Sequence, residues 1–550
     1  MYNDIFADIN KGDIMFKRTS KKRAETDTNE KNAKNREYDQ SQDTGSDKKD
    51  RPGQSKLAES IESNIALFKS IFSNDETLII REFSNKWLKA AHCCIIYMEG
   101  MVNAHVLNES IILPILRNDL SQKILSSNLL EELRKKVIAV HSVTEESDID
   151  KIINSVLYGD TILFVEGFDK ALIIHSKGWQ TRAIIEPEAE KIIRGPREGF
   201  NESIMVNISL IRRKIKNIDL KFQFKDIGTR TNTKTCICYI EGIVSRNILD
   251  TLIKRLDEID IDGILDSGYI QELIRDAPFS PFETVGYSER PDVIAAKLLE
   301  GRVAIIVDGS PVVLTVPYVM AENTQSNEDY YNNYIFGSIN RLMRSGSALL
   351  AISVPAVYTS LVTYHQEMLP TALLLNISSA RKGVPIPTVV SMFLMLLIFD
   401  ILREAGTRMP TPIGQAVNIV GTLILGQAAV EAKLVSAPII IMTALTGILT
   451  LMNVKLIYAT IVLRFILLSL SSVLGIYGYL MGMLVLNMYL MSMRSFGVPY
   501  MLNSTSVKDH NGQDAWVRAP WWEMTLRPKI IAGRNLIRQK SKKAGVPQRK

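Results

Sequence analysis

Apolar positions in the last third of the chain come in long runs without a charge. Uncharged stretches lie between positions 344 and 365, 382 and 400, 408 and 431, 433 and 455, and 464 and 494. The first four hold roughly 17 to 22 residues, what one helix needs to cross about 30 Å of hydrocarbon, and the last holds about 29. The pattern predicts an all-α polytopic membrane domain over 340–500 with four to six spans. Residues 456 to 493 fit either a tight helical hairpin turning at Gly475 to Gly478 or one long helix.

Upstream the apolar runs are short, and they repeat. "YMEGMV" at 97–102 matches "YIEGIV" at 239–244, an offset of 142 residues, and "GDTILFVEG" at 159–167 pairs with "GRVAIIVDG" at 301–309 at the same offset. In each unit an apolar strand ("CCIIYMEG", "CICYIEG") runs into an amphipathic helix, and a hairpin turns at Glu166-Gly167 or Asp308-Gly309. Two α/β subdomains of one design follow, 57–198 and 199–330. Together they predict a duplicated cytoplasmic α/β domain ahead of the membrane helices. Residues 1–56 mix both signs of charge and offer little apolar surface, the composition of a disordered tail.

Polar residues inside the apolar runs carry the candidate chemistry. At 100° per residue, Gln415, Asn418, Thr422, Gly426 and Ala429 fall within about 80° of one another on a helix. An amide facing lipid is expensive, so this face must meet another polar helix or water. It serves either interhelical packing, with Gly414, Gly421 and Gly426 as small contact points, or one wall of a water-filled path. Pro355 deprives the first span of one backbone hydrogen bond and marks either a gating kink or a packing kink. Arg464 is the only charge between Lys455 and Arg494. It either snorkels to the interface or pairs with Asp400, Glu404 or Glu431.

Composition changes this picture only by region, because 46% hydrophobic residues and a mean hydropathy of +0.06 average a polar half with an apolar one. Much of the net charge of +6 sits in the two tails, which argues against nucleic acid as a partner. The basic arm 501–550, with Trp516, Trp521 and Trp522, suits anionic headgroups and a cytoplasmic C-terminus. The first residues lack a basic n-region and an apolar h-region, so the N-terminus is expected on the same side, and the number of spans should be even. Cys93, Cys94, Cys236 and Cys238 all fall in the repeated strands. A metal pair at Cys236 and Cys238 lacks a second pair at finger-like spacing, so buried free thiols are the expectation. The six histidines form no i, i+4 pair, and no phosphate loop or nucleophile elbow occurs. Glu99 and Glu241 occupy equivalent strand ends, a structural pair rather than an acid/base dyad. Neither an enzyme nor a cofactor is expected.

"RGPREGFNESIMVNISLIRRKI" at 194–215, "PFSPFETVGYSERPDVIAAKLLEGRVAIIVDGSPVVLTVPYVMAE" at 278–322, "HQEMLP" at 365–370 and "ILREAGTRMPTPIGQAVNIVG" at 401–421 resemble the A subunits of spore germinant receptors, the GerA family. The signature includes Arg194, Gly195, Pro196, Arg197, Glu198, His365, Gln366 and Glu367, and the resemblance covers roughly residues 57 to 530. It implies a multi-pass protein of the spore inner membrane with both termini on the core side. Its implied partners are a permease-like B subunit and a lipoprotein C subunit. It also implies assembly as a homo-oligomer, a pentamer, forming a nutrient-gated channel that releases monovalent cations. A sporulation-specific paralogue shares this architecture, and a solute transporter and a membrane-anchored scaffold are the other readings.

Overall fold

The computed structural model describes residues 57–85, 92–117, 129–179, 187, 190–410, 424–502, 514–533 and 535–539. The expected tail at 1–56 therefore lies outside the described residues.

The first repeat contains α1 (Ile61–Ile71), β1 (Leu78–Ser84), β2 (His92–Met98), β3 (Val143–Glu146), α2 (Ile149–Leu157), β4 (Thr161–Val165) and β5 (Ala171–Ile174). The second contains α3 (Ile204–Lys214), β6 (Leu220–Ile227), β7 (Thr233–Ile240), α4 (Arg246–Asp257), α5 (Ser267–Ile274), β8 (Gly286–Ser288), α6 (Pro291–Leu299), β9 (Val303–Val307) and β10 (Val313–Val316). Their five-stranded sheets have the same order, β1-β2-β4-β5-β3 and β6-β7-β9-β10-β8, and neighbouring strands run antiparallel.

Helices cover both faces of each sheet, which is why the central strands read as nearly continuous apolar runs. Cys94, Ile96 and Met98 face the layer of α1 and α2, while Cys93 and Ile95 pack with the helical stretches at 106–117 and 129–137. In the second repeat Cys236, Cys238 and Ile240 face α3 and α6, and Ile237 and Tyr239 face α4 and α5. The hairpins turn at Gly167 (φ +86°) and Gly309 (φ +84°), a backbone conformation that favours glycine. The residue before each does a second job. The Glu166 carboxylate accepts the Ile61 N–H at 3.0 Å and the Asp308 carboxylate accepts the Ile204 N–H at 3.1 Å, so each hairpin caps the first helix of its own repeat.

A buried pair ties the repeats together. Arg212 on α3 donates to Asp75 at 2.7 Å and to Thr77 Oγ1 at 2.9 Å, and its guanidinium lies 4.8 Å from the Phe222 ring centroid. Backbone contacts extend the joint, with Glu76 N–H donating to the Phe222 carbonyl at 3.1 Å.

Beyond the repeats come α7 (Tyr334–Thr363), α8 (Thr371–Arg381), α9 (Thr388–Arg408), α10 (Ala437–Leu451) and α11 (Ile457–Ser492). Residues 371–381, between the first two uncharged runs, form the short helix α8. Among the described residues two helical stretches are long and apolar enough to cross a membrane, Tyr334–Thr363 and Val454–Ser492, against an expectation of four to six. The shortfall has physical causes: α9 gathers Asp400, Arg403, Glu404 and Arg408 in its last turns, α10 has 15 residues, and positions 411–423 are outside the description.

The second of those stretches is a hairpin. Gly475 (φ +62°, ψ −146°) breaks α11 into two arms. A Cβ on Gly478 would fall 2.2 Å from the Leu470 carbonyl oxygen, and one on Gly482 would fall 2.7 Å from the Leu467 side chain. In a straight helix residues 470 and 478 would stand about 12 Å apart. Both ends of the hairpin return to the soluble region, where Lys455 pairs with Glu190 at 3.3 Å and Phe496 N–H donates to Asp276 at 2.8 Å.

Candidate functional site

The junction between the repeats and the helices concentrates the buried charge. Asn333 caps α7 by accepting the Ile335 N–H at 2.9 Å. Two turns on, Arg341 is fully buried and donates to Asp329 at 3.3 Å and to the Asp514 carboxylate at 2.8 Å, while Arg344 pairs with the same Asp329. The C-terminal arm supplies the other half of this clamp. Arg518 donates to the Asn332 carbonyl at 3.0 Å, Trp521 Nε1 to the Tyr330 carbonyl at 3.3 Å, and the Tyr330 hydroxyl to Asp514. Burial, and after it the Asp514 carboxylate, pushes the Tyr330 phenol up, so it remains a donor.

A second buried cluster lies under the point where the chain leaves the soluble region. Glu322 takes Lys297 and Arg302, each at 2.7 Å, and accepts the Val319 N–H at 2.8 Å. Burial opposes its ionisation, but Arg302 and Lys297 outweigh burial and hold the carboxyl below its usual range. After α11 a two-stranded hairpin, β11 (Arg494–Ser495) with β12 (Val498–Pro499), lands beside this cluster. There Ser495 Oγ accepts the Tyr318 N–H at 2.9 Å and donates to the Thr284 carbonyl at 2.7 Å. The entry to α7 and the exit from α11 are thus bolted to the same repeat.

Among the helices, Arg464 meets one of its three candidate partners. It is fully buried and donates to Asp400, which Arg403 also approaches at 3.5 Å. Glu404 pairs with Arg408 at 2.7 Å, and Glu431 accepts from Gln427 at 2.8 Å. Arg464 does not snorkel. Pro355 is buried inside an α7 that continues through it. Ser471 from the first arm of α11 donates to the neighbouring Ala356 carbonyl at 2.5 Å, and Tyr479 from the second donates to Ser353 at 2.9 Å. Hydroxyls of both arms therefore hold the helix where proline interrupts its ladder.

At the far end, His365 and Glu367 stand 3.4 Å apart, Gln366 donates to the Val362 carbonyl at 2.9 Å, and a Cβ on Gly475 would meet His365 Nε2 at 2.9 Å. An open cavity of about 550 Å³ there lies between the turns at Gly383 and Lys433, lined also by Ser379, Lys382, Val430 and Val435. Gln415, Asn418, Thr422, Gly414 and Gly421 lie outside the described residues. Gly426 is described, and a Cβ there would sit 3.7 Å from Ile440, an ordinary packing distance.

The signature around 194–198 is a loop across the second repeat. Arg290 donates to the Pro196 carbonyl at 3.0 Å, and Glu198 pairs with Arg213 at 3.2 Å and Lys214 at 3.1 Å. Gly195 (φ +141°) packs on the Tyr331 ring, where a Cβ would come within 2.8 Å, while Arg194 and Arg197 are exposed. Next to this loop, Glu190 accepts from Ser288 Oγ at 2.5 Å while holding Lys455, so it touches both the sheet of the second repeat and the start of the helical hairpin. No sequence pattern pointed to Glu190, because Ser288 and Lys455 are remote in the chain, or to Asp329, because its arginines at 341 and 344 lie across the loop that precedes α7.

Residues 66–530, a stretch holding both repeats, the junction and the helices, match the family described as Bacillus/Clostridium GerA spore germination protein. The chain belongs to the GerA family. Relatives include spore germination protein KA of Bacillus subtilis (strain 168), 39% identical over 88% of this chain and 89% of its own length. The uncharacterized membrane protein YfkQ of the same strain is also 39% identical, over 88% of this chain and 92% of its own length. Spore germination protein A1 is 36% identical over 74% of this chain and 84% of its own length. Among solved structures, the N-terminal domain of the A subunit of the Bacillus megaterium spore germinant receptor GerK3 is 31% identical, covering 48% of this chain and 96% of that one, with a TM-score of 0.39.

In this GerA protein the four cysteines are buried free thiols. Burial pushes Cys93 and Cys94 up to about 12, so both stay protonated, unreactive thiols near neutral pH. Failure to label Cys94 from outside a cell therefore says nothing about sidedness, and an exposed reporter is required. Thiol reagents should leave the native cysteines unmodified in the folded protein whichever side they reach. A Glu367→Cys variant should react rapidly with a membrane-impermeant reagent added outside. Rapid labelling of the parent protein under native conditions would contradict the burial of these strands.

Proposed function

We propose that this protein is the A subunit of a nutrient-germinant receptor in the spore inner membrane. It acts without enzymatic chemistry, assembling as a pentameric ring that conducts monovalent cations out of the spore core. The observation that carries the reading is the family match, which runs unbroken through soluble repeats, junction and membrane helices to relatives named as germination proteins. Both termini lie on the core side, and a permease-like B subunit and a lipoprotein C subunit are its partners. The half-exposed Trp516, Trp521 and Trp522 and the basic residues beyond them meet anionic lipid.

Six crossings are proposed: α7 leads away from the repeats and α9 returns, the uncharged run between 408 and 431 is assigned one span on its sequence alone, α10 supplies another, and the two arms of α11 complete the set. Asn453, after α10, donates to the Arg344 carbonyl at 2.7 Å beside the start of α7, and Tyr364 at its far end donates to the Ser472 carbonyl at 2.5 Å. The polar face of Gln415, Asn418 and Thr422 lines the water path, since one helix per chain encloses water only in a closed ring.

Asn418 tests this. As a pore residue, Asn418→Ala eases the path and gives ion release at lower stimulus, while Asn418→Leu blocks it by dewetting, both at normal protein abundance. As a packing residue, both variants lose an interhelical hydrogen bond of about 0.6–2 kcal/mol and accumulate less protein together. Ion release measured beside protein level separates the two, and parallel losses would retire the pore assignment. YfkQ, as similar as the germination proteins, carries no germination name. That favours, as the second reading, a sporulation paralogue serving as an accessory channel or scaffold; normal nutrient germination in a deletion strain would select it. A solute transporter lacks any such support.

A further inference from the structure

The two repeats finish differently. In the first, the chain leaving β5 runs straight along the edge that follows β2. Asn103 N–H donates to the Ser176 carbonyl at 2.8 Å, Val102 bridges Lys177 in antiparallel fashion, and Gly178 N–H donates to the Met101 carbonyl at 3.1 Å. Gly159 closes the corner, with space for a Cβ blocked by the Met101 carbonyl at 2.9 Å and by Trp179 at 3.4 Å.

In the second repeat the chain leaving β10 cannot do this. Tyr318 N–H is bound to Ser495 and Val319 N–H to Glu322, and the chain departs for α7. The equivalent edge, 142 residues further on, is Ile243–Val244. It is filled by the far end of the polypeptide: Val244 bridges Ala532, again antiparallel, and Gly533 N–H donates to the Ile243 carbonyl at 2.6 Å. Gly301, the counterpart of Gly159, faces the Ile243 carbonyl at 3.1 Å and the Ala532 Cα at 3.0 Å. Ile531 is buried in one core with Val244, Val303 and Ile305.

We infer that the segment around Ile531, Ala532 and Gly533 is the missing closing segment of the second repeat. The Ile243–Val244 edge is then a docking site that the chain fills with its own C-terminal arm, strapping the end of the membrane domain to the soluble region. Neighbouring contacts hold the strap in register. Arg527 donates to the Leu299 carbonyl at 2.7 Å, Leu526 bridges Ile537, and Arg538 stands 3.8 Å from Glu300. The preceding part of the same arm, Asp514 to Trp521, grips the start of α7 as described above. A shift of the second repeat must therefore either move the first membrane helix or release the arm. This inference stands whether or not the protein conducts ions.

The test uses the full-length protein in membranes. A Val244→Cys/Ala532→Cys pair, oxidised mildly, is expected to close a disulfide within one chain, since antiparallel neighbours suit the bond and the four native thiols are buried. After cleavage between the two positions, the arm fragment should stay attached until a reductant is added. Adding Gly533→Val, whose Cβ would fall 2.7 Å from the Val244 carbonyl oxygen, should lower the cross-linking yield roughly tenfold or more and open the bond after Arg538 to trypsin. No cross-link in the double-cysteine protein overturns the inference. So does a cross-link only between chains, which would make the occupant a second copy. Unchanged protection in the Gly533→Val chain is equally fatal, and the double-cysteine result holds even if that third change prevents folding.

Discussion

Asp400→Leu is expected to cost about 3–5 kcal/mol and to remove most of the folded protein, because it strands Arg464. Arg464 is fully buried, and among the described residues its Nε and Nη1 have no hydrogen-bond partner. Among the described residues Asp400 supplies its ion pair, and the Phe465 ring lies 5.4 Å from the guanidinium. Arg464→Leu should be milder, since the remaining Asp400 keeps Arg403 at 3.5 Å and both are partly exposed. The double change to leucine removes both charges and should recover much of the loss, as replacing a buried pair by apolar side chains often does. Thermal unfolding of the solubilised protein and its abundance in membranes are the measurements. Equal melting of Asp400→Leu and the parent protein would show that the pair carries no stability.

Asp329→Ala should produce the second large effect, of similar size, with a different signature. Asp329 is 2% exposed and receives Arg341, Arg344 and the Ser326 N–H, so its loss leaves one fully buried guanidinium leaning on Asp514 alone. Asp514 belongs to the C-terminal arm. The expected result is therefore local: looser seating of the arm on α7, read as faster trypsin cleavage after Arg518 and Arg538, with the first repeat still resistant. Asp329→Asn keeps the shape and loses the charge, and should fall between the two. Uniform destabilisation of the first repeat, or no change in arm cleavage, would argue against a clamp centred on Asp329.

Much of the soluble region was legible because its information is local and periodic. An offset of 142 residues aligns strands, turns and the glycines with positive φ, and apolar runs flanked by amphipathic helices imply a sheet covered on both faces. The strand order is the same in both repeats, and Cys93, Cys94, Cys236 and Cys238 are buried where the runs place them. The helices after the repeats were legible as apolar length, but length cannot assign contacts. Arg464 had three acceptable partners, and helix packing chose Asp400. Residues 456 to 493 had two acceptable forms, and the approach of Gly478 to the Leu470 backbone, with His365 packed at Gly475, chose the hairpin. Glycine in an apolar helix serves close packing as readily as a turn, so its presence alone decided nothing.

By itself, then, the sequence determined two α/β repeats, their turns, their buried thiols and a following run of apolar helices, consequences of local periodicity and of one recurring offset. Tertiary structure alone decided which charges meet, that both ends of the helical region are anchored on the second repeat, and that Ala532 and Gly533 complete an edge begun at Ile243. Those partners are separated by nearly 300 positions. Such pairs leave no periodic trace, because what selects them is the shape and charge each finds after the rest of the chain has folded.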